Sequence, residues 1–373
     1  MKLIIETKKL REKLQICVST IDALNINPAL SGILIDVNSD NIQLTSSNGS
    51  ISTLTHIKEG VKESVQGKVL VKGKTLYEII NKIKAKEVLL ENVEESSLLI
   101  KTDNFSCELN LMDVNTFPVI NFEHINWNKI NFSAKTINSI INKMINFVSS
   151  NSEKIVPISG VLLDSESVEG KITVAATDSF HLASYNYENN ENEKFKIIVS
   201  PQILRFISGL IREKQINVDF YINDQKIIFE VDGDIFSSTL INGQYPSFNK
   251  FFDIENKYHF DVNKNELMES IDLASVLSSS EKRPLIQFII ENDELSLSAR
   301  SIESGTSRQS IKIQNSNVDN KTTFVLNIRY LSHILKAVNN ETITFEFTSE
   351  NGAIKVVETN NKESKYLIFP IRF

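Results

Sequence analysis

A chain of 373 residues is too long for one hydrophobic core and fits two or three domains of ordinary size. Its composition, 41% hydrophobic and 23% charged, is that of a soluble globular protein, and no apolar run approaches the ~18 residues of a membrane span. The net charge of −7, spread evenly, would argue against nucleic acid as a partner. The opening Met-Lys-Leu-Ile-Ile-Glu lacks a signal peptide's long apolar segment. Cys17 and Cys107 have no metal-ligand spacing and read as reduced core residues, so a cytoplasmic location is expected.

In chain order, the spacing predicts a strand at residues 2–6. A helix follows over 7–23, with Leu10, Leu14, Cys17 and Ile21 on one buried stripe. A hairpin follows at 41–50, then a second helix over 74–84 with Leu76, Ile79, Ile80 and Ile83 inward, then strands at 87–90, 98–101 and 105–111. The plan recurs with a strand at 127–132, Ser133 as N-cap, a helix over 134–148, a hairpin at 171–179, a helix over 201–212 and strands to 241. It recurs again with a strand at 257–262, helices over 265–278 and 328–338, a hairpin at 294–301, and a last strand at 366–373. That last stretch, Tyr-Leu-Ile-Phe-Pro-Ile-Arg-Phe, is apolar, where a terminus is usually polar and frayed, so its side chains are expected to dock.

An aromatic-proline pair marks the same repeat. Phe117-Pro118, Tyr245-Pro246 and Phe369-Pro370 set the prolines 128 and 124 residues apart. The hairpin leucine or valine at Leu44, Val174 and Leu297 advances by 130 and 123. Three copies follow, at residues 1–121, 122–251 and 252–373. Runs of strands carrying two helices per copy make an α+β protein, with the helices against antiparallel sheets.

Charge separates by element. Lys8, Arg11, Lys74, Lys82, Lys84, Lys135, Lys143, Arg205, Arg212, Lys264, Arg329 and Lys336 lie on the solvent sides of the helices, whereas acidic runs such as Glu188–Glu193 belong mainly to loops and strands. For any one lysine the ordinary reading is a solvated helix face. Repeated across six helices, the pattern points to a basic side able to attract phosphates. Enzyme chemistry is hard to find. Neither G-x-G-x-x-G nor G-x-x-x-x-G-K-[ST] occurs, the five histidines are scattered, and no C-x-x-C exists. Asp178, Ser179 and His181 could be assembled into a triad, but Asp and Ser at a hairpin turn have backbone reasons to be there.

Four motifs then stand in order: Asn27-Pro28-Ala-Leu30, Ala176-Thr177-Asp178-Ser179-Phe180-His181-Leu182-Ala183, Gly243-Gln-Tyr-Pro246, and the terminal Tyr-Leu-Ile-Phe-Pro-Ile-Arg-Phe. Together they resemble the bacterial DNA sliding clamps, the beta subunits of DNA polymerase III, over the full length. The resemblance implies three repeated clamp domains per chain, paired head to tail into a six-domain ring that encircles duplex DNA without sequence specificity. It implies a processivity factor with no catalysis and no cofactor. Implied partners are double-stranded DNA, a second copy, the replicative polymerase subunit, the clamp loader, and repair polymerases and mismatch-repair proteins, with no membrane.

By position, the resemblance assigns a protein-binding cleft between the second and third copies to Ile158, Thr177, Ser179, Phe180, His181, Leu182, Pro246, Lys250, Phe251, Leu367, Phe369, Pro370, Ile371 and Arg372. Such a cleft suits short peptides carrying Gln and a Leu-x-Phe-like pair. The DNA-facing set is Lys8, Arg11, Lys74, Lys82, Lys135, Lys143, Arg205, Lys264 and Lys336. The dimer interface maps to Cys107 and Leu109 against Val276 and Leu277, with Lys74 and Glu303 as rim charges. Ser179-Phe180-His181 replaces the family's Gly-His-Arg, giving a more aromatic and less cationic cleft. The family's basic residues before Pro28 and after Val199 are replaced by Leu24-Asn25-Ile26-Asn27 and Pro201-Gln202.

Overall fold

The structure, a computed structural model, describes residues 1–373 except 23–25, 39–40, 94–95, 150–155, 190–192, 212–215, 279–280, 302–303, 319, 360 and 372–373. The described helices are α1 (Thr7–Val18), α2 (Gly73–Lys82), α3 (Ala134–Met144), α4 (Pro201–Ile211), α5 (Asn249–Phe252), α6 (Lys264–Leu277) and α7 (Ile328–Ala337). Six of them are the helices that the apolar spacing predicts. The seventh, α5, is a single turn with too few residues to show a period.

The amphipathic helices end earlier than their stripes suggest. α1 stops at Val18 because Thr20 turns back, its N–H and hydroxyl both donating to the Cys17 carbonyl. α3 stops at Met144, and Phe147 continues the buried stripe from a turn, its N–H donating to the Met144 carbonyl at 2.9 Å. Apolar periodicity records which side chains are buried. It does not record where the i→i+4 ladder gives way to side-chain and turn bonds.

One backbone signature appears three times. The first residue of α1, α3 and α6 donates its N–H to a carbonyl just beyond the following long helix: Thr7 to Lys86 (2.9 Å), Ala134 to Ile216 (2.9 Å) and Lys264 to Glu341 (2.7 Å). The strands flanking each helix pair are antiparallel neighbours, with Glu6 opposite Glu87, Ser133 opposite Asn217 and Asn263 opposite Thr342. The repeat read from proline spacing is therefore a repeat of hydrogen bonds.

The chain divides into two compact units, Met1–Ala134 with Gly209–Leu240, and Lys135–Ser208 with Ile241–Phe373. In the first, the described strands form one 13-stranded sheet. α1 and α2 pack over it through Leu10, Leu14, Cys17, Leu76 and Ile80, all wholly buried. The second holds an eight-stranded and a four-stranded sheet. Its core includes stacked rings, Phe260 on Phe345 at 5.1 Å and Phe288 on Phe324 at 5.2 Å. Each such pair adds about 0.5–1.5 kcal/mol beyond its buried area.

Each unit contains one junction between repeats. In the first, Asp234–Thr239 adds antiparallel to Ile51–Ile57, placing Phe236 opposite Thr53 and Ser237 opposite Ser52. In the second, Asn361–Ile368 adds antiparallel to His181–Glu188, placing Leu367 opposite Leu182. The strands of the second repeat are thus shared between the two units.

Candidate functional site

The second junction begins at a turn that the sequence specifies closely. The Asp178 Oδ1 accepts the N–H groups of Phe180 and His181, both at 2.9 Å, and Thr177 Oγ1 accepts that of Ser179 at 3.1 Å. These bonds place Ser179 at φ 78°, a left-handed conformation that glycine adopts without cost and serine does not. The same Asp178 oxygen lies 2.8 Å from His181 Nδ1, and His181 Nε2 lies 3.1 Å from His333 Nδ1. In the tautomer whose Nδ1–H donates to Asp178, the His181 Nε2 lone pair faces His333 Nδ1 and can accept its proton in a hydrogen bond.

The relay is enclosed by rings. His181 is 1% exposed, stacked between Phe147 at 4.5 Å and Tyr330 at 4.3 Å. Burial alone would raise the Asp178 carboxyl, but the bonds from His181 and the turn amides outweigh it and hold it below its ordinary range. Burial, with His181 alongside, pushes the His333 imidazole down to about 4. Both His181 nitrogens are committed and its ring is inside, so it cannot serve Ser179 as a base. The triad alternative fails on that geometry.

Above this floor lies an aromatic surface. Phe180, 53% exposed, stacks on Tyr330 with ring centroids 6.1 Å apart. Its carbonyl accepts the Phe369 N–H at 3.0 Å, and the Ile371 N–H donates to Val325. The Phe369 ring meets Phe251 of α5 edge-on at 5.5 Å, and Lys250 lies over the Phe251 ring. Ser179, Phe180, Pro246 and Lys250 are exposed, and Phe251, Phe369, Pro370 and Ile371 are half-buried.

Five expected cleft residues are buried. Ile158, Thr177, Leu182 and Leu367 are buried, the three apolar ones in a cluster with Tyr245 and Phe248, and His181 belongs to the relay. They form the packed layer beneath the exposed rings. Pro246 lines a cavity of about 500 Å³ with Asp164, Lys196 and Phe248. Arg372 is outside the described residues. Tyr330 belongs to the site and was not anticipated; an aromatic beside Arg329 on the polar side of a helix is the signal that would have found it.

The basic residues divide differently from expectation. Lys8, Lys74 and Lys82 in the first unit, and Lys135, Arg205 and Lys336 in the second, are exposed. Arg11 is instead bonded to the carbonyls of Ile83 (2.8 Å) and Ile80 (3.4 Å), satisfying the open end of α2. Lys264 does the same for α7 through the Val338 carbonyl at 2.9 Å. Lys143 is 7% exposed with its Nζ 3.5 Å from the Tyr185 ring centroid, and burial lowers its pKa. These three cations belong to the fold. Arg212 and Glu303 lie outside the described residues, as do Leu24 and Asn25.

Cys107 and Leu109 are half-buried on the strand Phe105–Met112, whose first six residues pair only with Ser97–Thr102 among the described residues. On α6, Val276 is 71% exposed and Leu277 half-buried. Leu273, one turn away and 55% exposed, completes an apolar strip that the sequence reading missed. Among the described residues no group of His, Cys, Asp and Glu could hold a metal ion.

Comparison with known proteins matches three successive family descriptions. These are the DNA polymerase III beta subunit N-terminal domain over residues 1–121, the central domain over 131–247 and the C-terminal domain over 250–372. The beta sliding clamp of Mycoplasma genitalium is 27% identical across all of both chains, and that of Staphylococcus epidermidis 27% identical across 92% of each. Among solved structures, the DNA polymerase sliding clamp from Bacillus subtilis superposes with a TM-score of 0.90 at 22% identity, over 100% of this chain and 99% of that one. The Streptococcus pneumoniae DNA polymerase III beta chain gives 0.91 at 22% identity over the whole of both.

Proposed function

The chain belongs to the DNA polymerase III beta subunit family, and on that premise we propose that it is a non-catalytic processivity clamp. In this reading three clamp domains, 1–121, 122–251 and 252–373, pair head to tail with a second copy in the cytoplasm and enclose duplex DNA. The observation that carries it is the arrangement of strand edges. In each unit a repeat's last hairpin strand adds to the hairpin edge of the repeat before it. Two strands of the same kind remain without such an addition among the described residues: Phe105–Met112 of the first repeat and Gly305–Lys312 at the edge of the four-stranded sheet. A head-to-tail second copy uses both, repeating the junction between chains and leaving no open edge. Cys107, Leu109, Leu273 and Val276 supply the apolar contact.

Grip without registration fits the exposed cations. Lys8, Lys74, Lys82, Lys135, Arg205 and Lys336 are long, mobile charges that meet phosphates without reading bases, and such binding is non-specific and salt-sensitive. Confinement by a closed ring, and not affinity, then keeps the protein on DNA. The aromatic surface of Phe180, Tyr330, Phe251 and Phe369, rimmed by Lys250, takes apolar peptide segments of the replicative polymerase, the clamp loader and repair proteins. The test is retention on nicked circular DNA after loading. Loss on linearisation is expected, and equal retention on circle and line would reject the reading.

A further inference from the structure

Lys355 is an unusual residue to find where it is. It sits on the strand Ile354–Glu358, opposite Leu367 of the terminal strand, and is 8% exposed. Its ammonium donates to two backbone carbonyls of one turn, Phe252 at 2.8 Å and Ile254 at 2.6 Å. That turn is the end of α5, a four-residue helix with no side-chain cap and too short to hold itself in water. A buried lysine is costly unless its donors are met, so the cation and these carbonyls stabilise one another. Burial pulls the ammonium below its ordinary pKa, while Glu346 and Asp253 oppose the shift and Lys365 adds to it.

We infer that Lys355 is the positioning residue of the peptide surface, holding α5 so that Lys250 and Phe251 stand preformed opposite Phe369. The inference rests on the peptide-binding reading above. Its chemistry is local. The residue before the bonded Phe252 carbonyl is Phe251, whose ring meets Phe369 edge-on, and Lys365 lies over the Phe252 ring at 5.4 Å. Without the ammonium, the apolar cluster of Tyr245, Phe248 and Leu367 still anchors the segment that leads into α5. The last turn, with its freed carbonyls, exchanges toward water, and a peptide then has to order the wall as it binds.

The experiment uses the full-length chain and a fluorescein-labelled peptide carrying Gln and a Leu-x-Phe pair. Lys355→Met keeps the stem and removes the charge, and about tenfold weaker binding is expected, with the native mass unchanged. Lys355→Arg restores a cation with several donors and is expected to return affinity to within about threefold of wild type. Amide hydrogen exchange at residues 249–254 should speed up in the Met variant and slow again in the Arg variant. Wild-type affinity in Lys355→Met overturns the inference, as does a loss that Arg does not restore. If the Met variant fails to fold, Lys355→Gln decides, with at least threefold weakening expected and wild-type affinity overturning the proposal. Failure of the wild-type chain to bind the peptide would instead remove the underlying reading.

Discussion

The two junctions share a plan and differ in content. In the first unit the turn Ser47–Ser52 has Asn48 Oδ1 accepting the N–H groups of Ser50 and Ile51, and Ser47 Oγ accepting that of Gly49. In the second, Asp178 and Thr177 make the same bonds to Phe180, His181 and Ser179. At the matching position the first junction pairs two serines, Ser237 and Ser52, beside Ile235 opposite Leu54. The second pairs Leu182 with Leu367 and places the Asp178–His181–His333 relay beneath exposed aromatic rings. The lesson is that the backbone turn and the strand addition are scaffold, and the candidate site is made by the side chains grafted onto one copy.

The contrast can be broken most strongly at the segment that follows the terminal strand. Deleting residues 369–373 removes Phe369 and its partner bond to Phe180, and peptide binding is expected to disappear while the native mass stays that of a dimer. Loss of the dimer would make this segment structural first. Next in size, Leu367→Ala at the second junction should cost about 2–5 kcal/mol of unfolding free energy, because Leu367 is wholly buried. Ser237→Ala at the first should stay within about 1 kcal/mol. Equal losses in denaturant titration would erase the distinction.

Smaller effects sharpen it further. Gly49 at φ 93° and Ser179 at φ 78° occupy the same turn position. Ser179→Gly should therefore stabilise by about 0.5–1 kcal/mol and Gly49→Ser destabilise by a similar amount, measured as shifts in the urea midpoint. A further effect is with pH. His333 is lowered from 6.5 to about 4, so the unfolded chain binds the extra proton. Stability should fall as pH drops below about 6.5 and stop falling on this account below about 4. His333→Phe should flatten that window, and an unchanged profile would show that the relay does not hold His333 neutral.

Much of the scaffold was legible because repetition amplifies weak signals. One amphipathic stripe such as Leu10, Leu14 and Cys17 fixes a helix face, and three in register fix an architecture. Helix ends were not legible, since Thr20 and Phe147 obey turn bonds that periodicity ignores. The cations show the same limit. Arg11, Lys143 and Lys264 have the helical spacing of a solvated face, yet two complete the ends of neighbouring helices and one lies against a ring. Those roles depend on which carbonyl or ring a distant segment delivers. Tyr330 and Lys355 were missed for the same reason, their partners lying about 150 and 100 residues away.

A ring requires that the junction be used a third time, between chains. Within their hairpins Cys107 occupies the position of Phe236, and Ser307 that of Thr53, the pair that face each other in the first unit. The decisive measurement is the native mass of Ser307→Cys before and after mild oxidation. A particle of twice 42.2 kDa that becomes covalently linked through Cys107 is predicted, because opposed strand residues lie about 4.5–5.5 Å apart, within disulfide reach. A particle of 42.2 kDa that oxidation leaves unlinked would contradict it.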